Sequence, residues 1–429
     1  MIINRLQTPL VSEITSFNIL KADQNVLPNG IPIYTLNTGT ADLIKIECMF
    51  AAGNWFQQSS LVAFAVNNML IEGTTHFTSV QIAENSEYYG AYLGYNVDKD
   101  NAYVSLFCMR KYLDKVLPIL ESILKEAMFP EHELELFKSK HKHQFLVDQT
   151  KGKNTARMVH NRMLFGNHHP YGYQIMEPDF DALTRNDLIN FHKQYYSSNN
   201  CKIIASGVVG DQEIKLITKY LGMDKWNDQI SSLILPSYII KTELENKIYI
   251  EQPEAVQSAV RTGKILINKH HPDYAAMALV NCILGGYFGS RLMKTIREEK
   301  GYTYGINSMY ITFTHAGYLS IVSELGINVT KDGLKEIYAE IEKLRTELMP
   351  EEELARVKNY MLGEMVRMFD GTFAQAESLI SILEYDMDYS YFHNLIDTIK
   401  KANTKMIRDM AFKHLDPATF SEVVVGKME

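Results

Sequence analysis

Hydrophobic and polar residues alternate at strand spacing early in the chain, and helical spacing takes over later. The alternation predicts two paired strands, Ile33–Leu36 and Leu43–Ala51, followed by a helix over Leu61–Glu72. A predicted hairpin comes next, with strands Gly90–Asn96 and Asn101–Met109. Because strands come first and helices later, the pattern indicates an α+β fold with helices packed on a sheet.

The two halves of the chain repeat each other at a nearly constant offset in sequence. Met128–Lys138 and Leu348–Lys358 each begin an amphipathic helix with a proline and acidic residues. The closing segments Phe191–Gly207 and Met410–Gly426 also correspond, each with a helix end, a polar turn and a β-branched strand. These two ordered matches predict two homologous domains, each an antiparallel-rich sheet covered by helices on one face.

A segment without steady periodicity lies between the two halves. Tyr220–Glu245 contains Trp226-Asn-Asp-Gln and Leu235-Pro-Ser, which is typical of a linker. We therefore predict an N-terminal domain over residues 1–222, a linker over 223–243 and a C-terminal domain over 244–429.

Composition narrows the class of protein. The 429 residues are 46% hydrophobic and 22% charged, so the chain is long enough for more than one core. The net charge of -8 and the lack of a basic run argue against a nucleic-acid partner. Four scattered cysteines predict buried thiols in a reducing compartment. No run of about 18 apolar residues and no N-terminal apolar signal segment is present. We expect a cytoplasmic protein without a membrane partner.

The segment Leu284–Gly305 is the most informative part of the chain. A glycine-rich turn leads into a short helix that carries Arg297 and ends at Gly301, and a strand with Tyr304 follows. Glycines allow such sharp turns, so the helix end brings Arg297 and Tyr304 close together. Taken alone, the two residues also suit a solvated helix arginine and a half-buried strand tyrosine.

This segment closely resembles the C-terminal half of the pitrilysin-type (M16) zinc peptidases. In that family an arginine and a tyrosine at this spacing hold the substrate backbone, which implies the same role for Arg297 and Tyr304. Two further runs, Gly166–Gly172 and Glu254–Ser258, are also similar to the family. The resemblance covers nearly the whole chain, and it implies two homologous α+β domains.

The resemblance also locates the family's zinc motif, H-x-x-E-H, on the first helix of the N-terminal domain. The ending Met-Leu-Ile-Glu-Gly-Thr74 resembles the family's M-L-F-x-G-T and fixes the register. Phe64 and Asn68 then stand at the two histidine positions, and Asn67 stands at the glutamate position. Phenylalanine offers no zinc ligand, and an asparagine amide cannot take a proton from water at neutral pH.

The family's third zinc ligand is a glutamate that falls near Gln144 in this chain. No glutamate occurs between Glu135 and Glu177, so a small error in register does not restore it. With all four functional positions changed, we expect no zinc or other cofactor on this chain.

Other catalytic arrangements have little support. His141 and His143 are two residues apart in a helical pattern, so their rings point in different directions. The pairs His168-His169 and His270-His271 precede prolines in loops, where such residues are usually solvated or capping. The chain has neither a G-x-S-x-G elbow nor a P-loop. A cysteine nucleophile stays open, but no pattern favours one.

The combined pattern resembles the zinc-free chain of a two-chain bacterial M16 peptidase. The resemblance implies a protein inactive alone, with a catalytic M16 sister subunit that carries H-x-x-E-H and zinc. Arg297 and Tyr304 would then act in trans on a peptide substrate, and the chain would dimerise with the sister or with itself. Gly285–Gly289 is too short for the glycine-rich loop of the mitochondrial α subunit. The alternative is a structural or peptide-binding M16-fold protein, with Gly90–Asn96 as an edge strand that binds peptide.

Overall fold

Two sheets form the framework of the computed structural model, which describes residue 14 and residues 16–228, 236–242 and 246–428. The first sheet has the spatial order β1-β2-β6-β3-β5-β4 and the second has the order β7-β11-β8-β10-β9. The strands of the first sheet are β1 (Asp23–Val26), β2 (Pro32–Asn37), β3 (Leu43–Phe50), β4 (Tyr92–Val97), β5 (Ala102–Met109) and β6 (Cys201–Gly207). Those of the second are β7 (Lys247–Glu251), β8 (Gln257–Leu266), β9 (Thr303–Thr312), β10 (Gly317–Gly326) and β11 (Ser421–Gly426).

Helices fill the intervals between the strands. The α-helices of the first half are α1 (Val62–Met69), α2 (Ser79–Tyr88), α3 (Leu113–Lys125), α4 (Glu131–Gln149), α5 (Gly152–Phe165), α6 (Glu177–Ala182), α7 (Arg185–Tyr195) and α8 (Asp211–Ile217). Those of the second half are α9 (Tyr274–Asn281), α10 (Thr330–Thr346), α11 (Glu351–Met368), α12 (Thr372–Leu383), α13 (Ser390–Lys401) and α14 (Thr404–His414). π-helical segments span Thr218–Gly222, Cys282–Gly286 and Met293–Glu299.

The two halves share one topology. The last strand of each half along the chain, β6 or β11, lies inside its sheet. One edge of each sheet is formed by a hairpin strand, β4 or β9. Helices α4 and α11 begin directly after Pro130 and Pro350, the two prolines that correspond in the sequence repeat. The fold class predicted from the sequence, two homologous α+β halves, is confirmed.

One predicted strand pairing is wrong. The strands predicted at Ile33–Leu36 and Leu43–Ala51 exist as β2 and β3, but they are not neighbours. Strand β6 lies between them, parallel to β2 and antiparallel to β3. Almost all of β6 is buried, so it takes the centre of the sheet, where both its faces and both its edges are covered. The predicted hairpin is present as β4 and β5.

The helices of each half cover one face of its own sheet. In the first half, Ile44 and Ile46 of β3 pack in one buried cluster with Val66 of α1 and Leu120 of α3. The second half repeats this arrangement, with Ile321 of β10 in a cluster that includes residues of α10 and α14. Apolar side chains on one face of a sheet require such a cover.

The other face of each sheet receives a helix from the opposite half. Helix α5 packs on β8 and β11 through a small cluster of Ala156, Val159, Met163, Ala259, Val423 and Val425. Helix α12 packs on the first sheet, with the ring of Phe373 5.3 Å from that of Phe107 on β5. Gly152 and Thr372, which begin these helices, are separated by the same offset as Pro130 and Pro350. The sequence predicts helices on one face of each sheet only, and this is wrong in part, because an exchanged helix covers some of the other face.

Several sequence predictions concern segments near the ends and the middle of the chain. Residues 1–13, on which the expectation about a signal segment rests, lie outside the described residues, as do residues 229–235 and 243–245 of the predicted linker. The domain boundaries stay a prediction. All four cysteines are free and buried, as predicted. Among the described residues, no helix has the length and apolar character that a bilayer crossing requires.

Candidate functional site

Arg297 and Tyr304 are placed by a helix end, a left-handed glycine and the start of an edge strand. Arg297 lies in the π-helical segment Met293–Glu299, which ends before Gly301. Gly301 has a φ of +66°, a conformation that glycine adopts without strain. The N–H of Tyr302 then donates to the carbonyl of Ile296 at 3.0 Å, so the chain reverses tightly into β9.

A β-bulge at the start of β9 turns Tyr304 outward. Ile306 pairs with Ser323 and Thr303 pairs with Leu325, so Tyr304 and Gly305 together face the single residue Glu324. Bulges of this kind redirect a side chain at the edge of a sheet. Tyr304 is 89% exposed, which rules out the half-buried tyrosine that its strand position alone suggests.

The guanidinium of Arg297 lies between two exposed aromatic rings. Its Cζ is 4.9 Å from the ring centroid of Phe288 and 5.8 Å from that of Tyr304. Contacts of a cation with exposed rings contribute about 0.5–1 kcal/mol, enough to orient the group. In the described part of the chain no carboxylate forms an ion pair with Arg297. The N–H donors of the guanidinium are therefore free to bind a ligand.

An apolar cleft of about 410 Å³ lies beside this pair. The glycine-rich turn forms one wall with Gly286 and Phe288, and β9 forms the other with Ile306 and Asn307. The turn can approach the strand closely because a Cβ on Gly285 would come within 2.6 Å of the backbone of Ser308. The chain thus offers an open groove lined by Phe288, which contacts Arg297, and by Gly305, which follows Tyr304.

A buried ion pair anchors the same element to the helical layer. The Nε and Nη2 atoms of Arg291 donate to the two carboxylate oxygens of Glu353 at 2.8 and 3.0 Å. Both side chains are largely buried. Burial alone would lower the pKa of Arg291, but the contact with Glu353 has the larger effect and raises the pKa of Arg291. A two-pronged contact of this type fixes orientation as well as distance.

At the positions that the sequence resemblance assigns to the zinc motif, the side chains pack within the protein and offer no metal ligands. Phe64 lies against two α4 residues, with its ring centroid 5.7 Å from that of Phe137 and 5.1 Å from that of His141. Asn67 is fully buried, and its amide donates to the carbonyl of Tyr103 at 3.3 Å and to the hydroxyl of Tyr196 at 3.1 Å. Both residues contribute to internal packing.

The other two positions of the motif have no metal-binding geometry either. Asn68 donates to the carbonyl of Phe64 within its own helix at 2.8 Å. Gln144 is exposed on α4 and donates to Asp148 at 3.1 Å. No group of three histidine, cysteine or acidic side chains among the described residues could hold a metal ion. The residues present do not fit the family's zinc.

The three histidine pairs are spread over separate environments. His141 packs on Phe137 and Phe64, and burial followed by the charge of Lys140 lowers its pKa, whereas His143 is exposed. His169 is buried among aromatic rings, and its pKa falls to about 4, mainly through burial. His271 caps its own loop, accepting from the N–H of Asp273 at 3.0 Å.

Sequence reasoning missed three contributors to the site. Phe288 stands inside the glycine-rich turn, and the two adjacent aromatic residues between its glycines, Tyr287 and Phe288, were an available signal. Glu353 is one of several acidic residues in the first turn of a helix, so no sequence pattern predicts that it pairs with Arg291. The bulge opposite Glu324 depends on the register of β9 and β10, which no local pattern reveals.

Two models of known protein families match consecutive parts of the chain. Residues 52–179 match the family model described as insulinase, peptidase family M16, and residues 182–361 match that of the peptidase M16 inactive domain. The chain belongs to the M16 peptidase family. The assignment of Phe64, Asn67 and Asn68 to the positions of the family's zinc motif stays a prediction from the sequence resemblance.

Relatives of this M16 chain include bacterial proteins of similar length. It is 21% identical over 348 residues to a Bacillus subtilis protein named uncharacterized zinc protease YmxG, covering 80% of this chain and 83% of that one. It is 22% identical over 359 residues to a Helicobacter pylori protein named non-peptidase homolog YmxG, covering 81% and 80%. A solved peptidase M16 inactive domain from Pseudomonas fluorescens shares the fold, with a TM-score of 0.84, 22% identity and coverage of 96% and 99%.

Proposed function

We propose that this chain is the non-catalytic subunit of a two-chain M16 peptidase. In this proposal Arg297 and Tyr304 hold a peptide bound at the zinc site of a sister chain. The proposal rests on a contrast between the motif positions on α1 and the pair of Arg297 and Tyr304. The motif positions on α1 are filled by internal packing, whereas Arg297 and Tyr304 are solvent-accessible and Arg297 has no ionic partner in the described chain. The relative named a non-peptidase homolog supports the same conclusion.

The chemistry of the pair suits a role in trans. Peptide hydrolysis develops negative charge on the scissile carbonyl, and a preplaced guanidinium and phenol stabilise that charge. They also hold the substrate backbone in a reactive orientation. Phe288 positions the guanidinium of Arg297 before any peptide arrives. Little reorientation is then needed when the substrate binds.

A second chain is required to complete such a site. Strand β9 is at the edge of its sheet and Tyr304 is 89% exposed, so the pair lies at the surface of this chain rather than in a closed chamber. We expect a zinc-bearing sister subunit to close over this side, through a contact that opens to admit peptide. Light scattering on the mixture should show a heterodimer, and a strictly monomeric mass at micromolar concentration would argue against action in trans.

Cleavage by the assembled pair tests the assignment. The purified chain is mixed with an H-x-x-E-H sister encoded beside it, and hydrolysis of a quenched fluorescent peptide is followed. Arg297→Ala should lower kcat/KM about a hundredfold, in the range known for loss of a donor to a developing oxyanion. Tyr304→Phe removes only the hydroxyl and should cost about tenfold.

Lys193→Ala supplies the matched control, because it removes an exposed charge from α7 in the other half of the molecule. It should leave cleavage unchanged. Full activity of the complex with both Arg297→Ala and Tyr304→Phe would show that the pair has no role in hydrolysis.

The free edge of the first sheet supports a second candidate function, binding of peptide without any effect on cleavage. Strand β4 pairs only with β5 among the described strands, and Tyr92 on it is 68% exposed. An extended peptide could add to this edge through main-chain hydrogen bonds. Peptide binding by the isolated chain, with no change in the rate of a zinc-bearing sister, would favour this function.

A further inference from the structure

Arg261 is a buried cation without an anionic partner among the described residues. It lies in the middle of β8 with only 9% of its surface exposed. Its Nη1 donates to the hydroxyl of Ser320 across a long 3.4 Å, and its buried Nε has no acceptor in the described chain. An unpaired buried charge is strongly unfavourable, so structural arginines in such places are normally paired.

The surroundings of Arg261 add positive charge instead of balancing it. Burial lowers its pKa, the nearby phenol of Tyr318 opposes this, and the charge of Arg157 on α5 lowers it further. Lys153, one helical turn before Arg157, is also exposed on α5. Three cations, Arg261, Arg157 and Lys153, therefore lie in the region where α5 crosses the second sheet.

Arg261 lines a cleft next to the start of β9. Asn307, Val322 and Arg261 lie in one row across β9, β10 and β8, so they share a face of the sheet. Val423 continues the row under α5, which packs there and leaves the β10 and β9 positions uncovered. Arg261 is therefore at the border between the covered and the open part of this face.

The cleft itself measures about 160 Å³ and has room for a small polar group. Arg261 and Lys153 line it together with one acid, Glu324, which forms no ion pair within the described chain. Gly305 and Asn307 line both this cleft and the larger apolar cleft beside Arg297. A ligand held at Tyr304 is thus within reach of Arg261.

We propose that Arg261 and Lys153 form a carboxylate-binding subsite for the peptide that β9 holds. The preferred substrates would then carry a negative group, either a C-terminal carboxylate or an acidic side chain. The inference rests on the proposed function only in taking a peptide as the ligand. A carboxylate in the cleft would give the guanidinium group the charged acceptor that it lacks.

Binding to the isolated full chain at low ionic strength provides the test, because surface charge effects weaken with salt. Fluorescence anisotropy compares a short labelled peptide that ends in a free carboxylate with its C-terminal amide. A second pair, amidated in both members, differs by one internal Glu or Gln. The wild-type chain should bind the acidic member of at least one pair about tenfold more tightly, and the pair that discriminates identifies the source of the carboxylate.

Variants assign the preference to the cleft. Arg261→Gln should abolish the acid preference while leaving affinity for the neutral peptide unchanged. Lys153→Gln should reduce the preference a few-fold, and Glu324→Gln should increase it by removing a repelling charge. If circular dichroism shows that Arg261→Gln is misfolded, the exposed Lys153 variant decides the question.

Three outcomes would overturn the subsite: no binding of any peptide, no acid preference in either pair, or a preference that survives in both the Arg261 and the Lys153 variant. This binding result is independent of the test of the proposed function, which measures peptide cleavage by the complex that carries the Arg297 variant. A chain that prefers acidic peptides but has no effect on cleavage would keep this subsite and refute the role in hydrolysis.

Discussion

Restoring the family's glutamate on α1 should destabilise the protein in a pH-dependent way. Asn67 is fully buried, and its neighbours are the carbonyl of Tyr103 and the hydroxyl of Tyr196. Neither neighbour carries a positive charge, so the carboxyl group of Asn67→Glu would meet no ion of opposite charge. Burial of this kind raises the pKa of a glutamate, to about 8 in documented cases.

The size of the effect follows from the difference in proton binding. An unfolded glutamate has a pKa of about 4.3, and each pH unit above it costs about 1.4 kcal/mol while the folded group stays neutral. The cost is about 4 kcal/mol at pH 7 and about 1 kcal/mol at pH 5. Since the folded pKa is the raised one, stability is greatest at low pH and is lost as the pH rises. The loss at pH 7 is large beside a total of about 5–15 kcal/mol.

Urea unfolding followed by tryptophan fluorescence can measure this loss of stability. The only two tryptophans of the chain, Trp55 and Trp226, both belong to the same core as α1. Asn67→Gln is the control, because it changes size without adding a titratable group. Equal unfolding midpoints for the Glu and Gln variants at pH 7 would refute the reasoning, because they would show that water or a cation reaches the carboxylate. Added zinc should not rescue the Glu variant, since Phe64 and Asn68 offer no imidazole.

Three other predictions concern stability and metal content. Arg291→Gln or Glu353→Gln should each lower the free energy of unfolding by about 3 kcal/mol, because each leaves one buried charge unpaired. In a double-mutant cycle measured by urea unfolding, the double variant should lose less free energy of unfolding than the two single variants added together. Gly301→Ala should cost about 1 kcal/mol by calorimetry, since its φ of +66° is strained for alanine while a Cβ there meets no atom within 4 Å. The purified chain should contain less than stoichiometric zinc by elemental analysis, and a chelator should leave Tm unchanged; one tightly held zinc per chain would contradict the assignment of α1.

Features that repeat or that depend on local chemistry could be predicted from the sequence. The repeat between the halves located α4 and α11, and the hairpin of β4 and β5 followed from alternation alone. The turn into β9 was predictable because Gly301 marks the end of a helix. Family resemblance then gave Arg297 and Tyr304 a proposed role that neither residue type could have suggested alone.

Features that depend on long-range packing could not be predicted. Strand β6 enters the sheet between β2 and β3 although most of the first half separates it from them along the chain, and hydrophobicity does not specify its neighbours. The exchange of α5 and α12 between the halves is equally invisible, because an amphipathic helix shows that it has an apolar face but not which sheet covers it. Arg261 became notable only once its row across the sheet was known.

The two sites of the chain differ in what each gives to the folded protein. Phe64 and Asn67 contribute packing and hydrogen bonds to the core, so their residue types are explained by stability alone. Tyr304 is 89% exposed and Arg297 has no ionic partner in the described chain, so the fold gains little from either. Replacing an exposed residue such as Tyr304 usually changes stability by less than about 0.5 kcal/mol, and replacing the half-buried Arg297 removes ring contacts that contribute about 0.5–1 kcal/mol. A loss of cleavage on replacing them would therefore report on contacts with the peptide, whereas a loss on changing α1 would report first on folding.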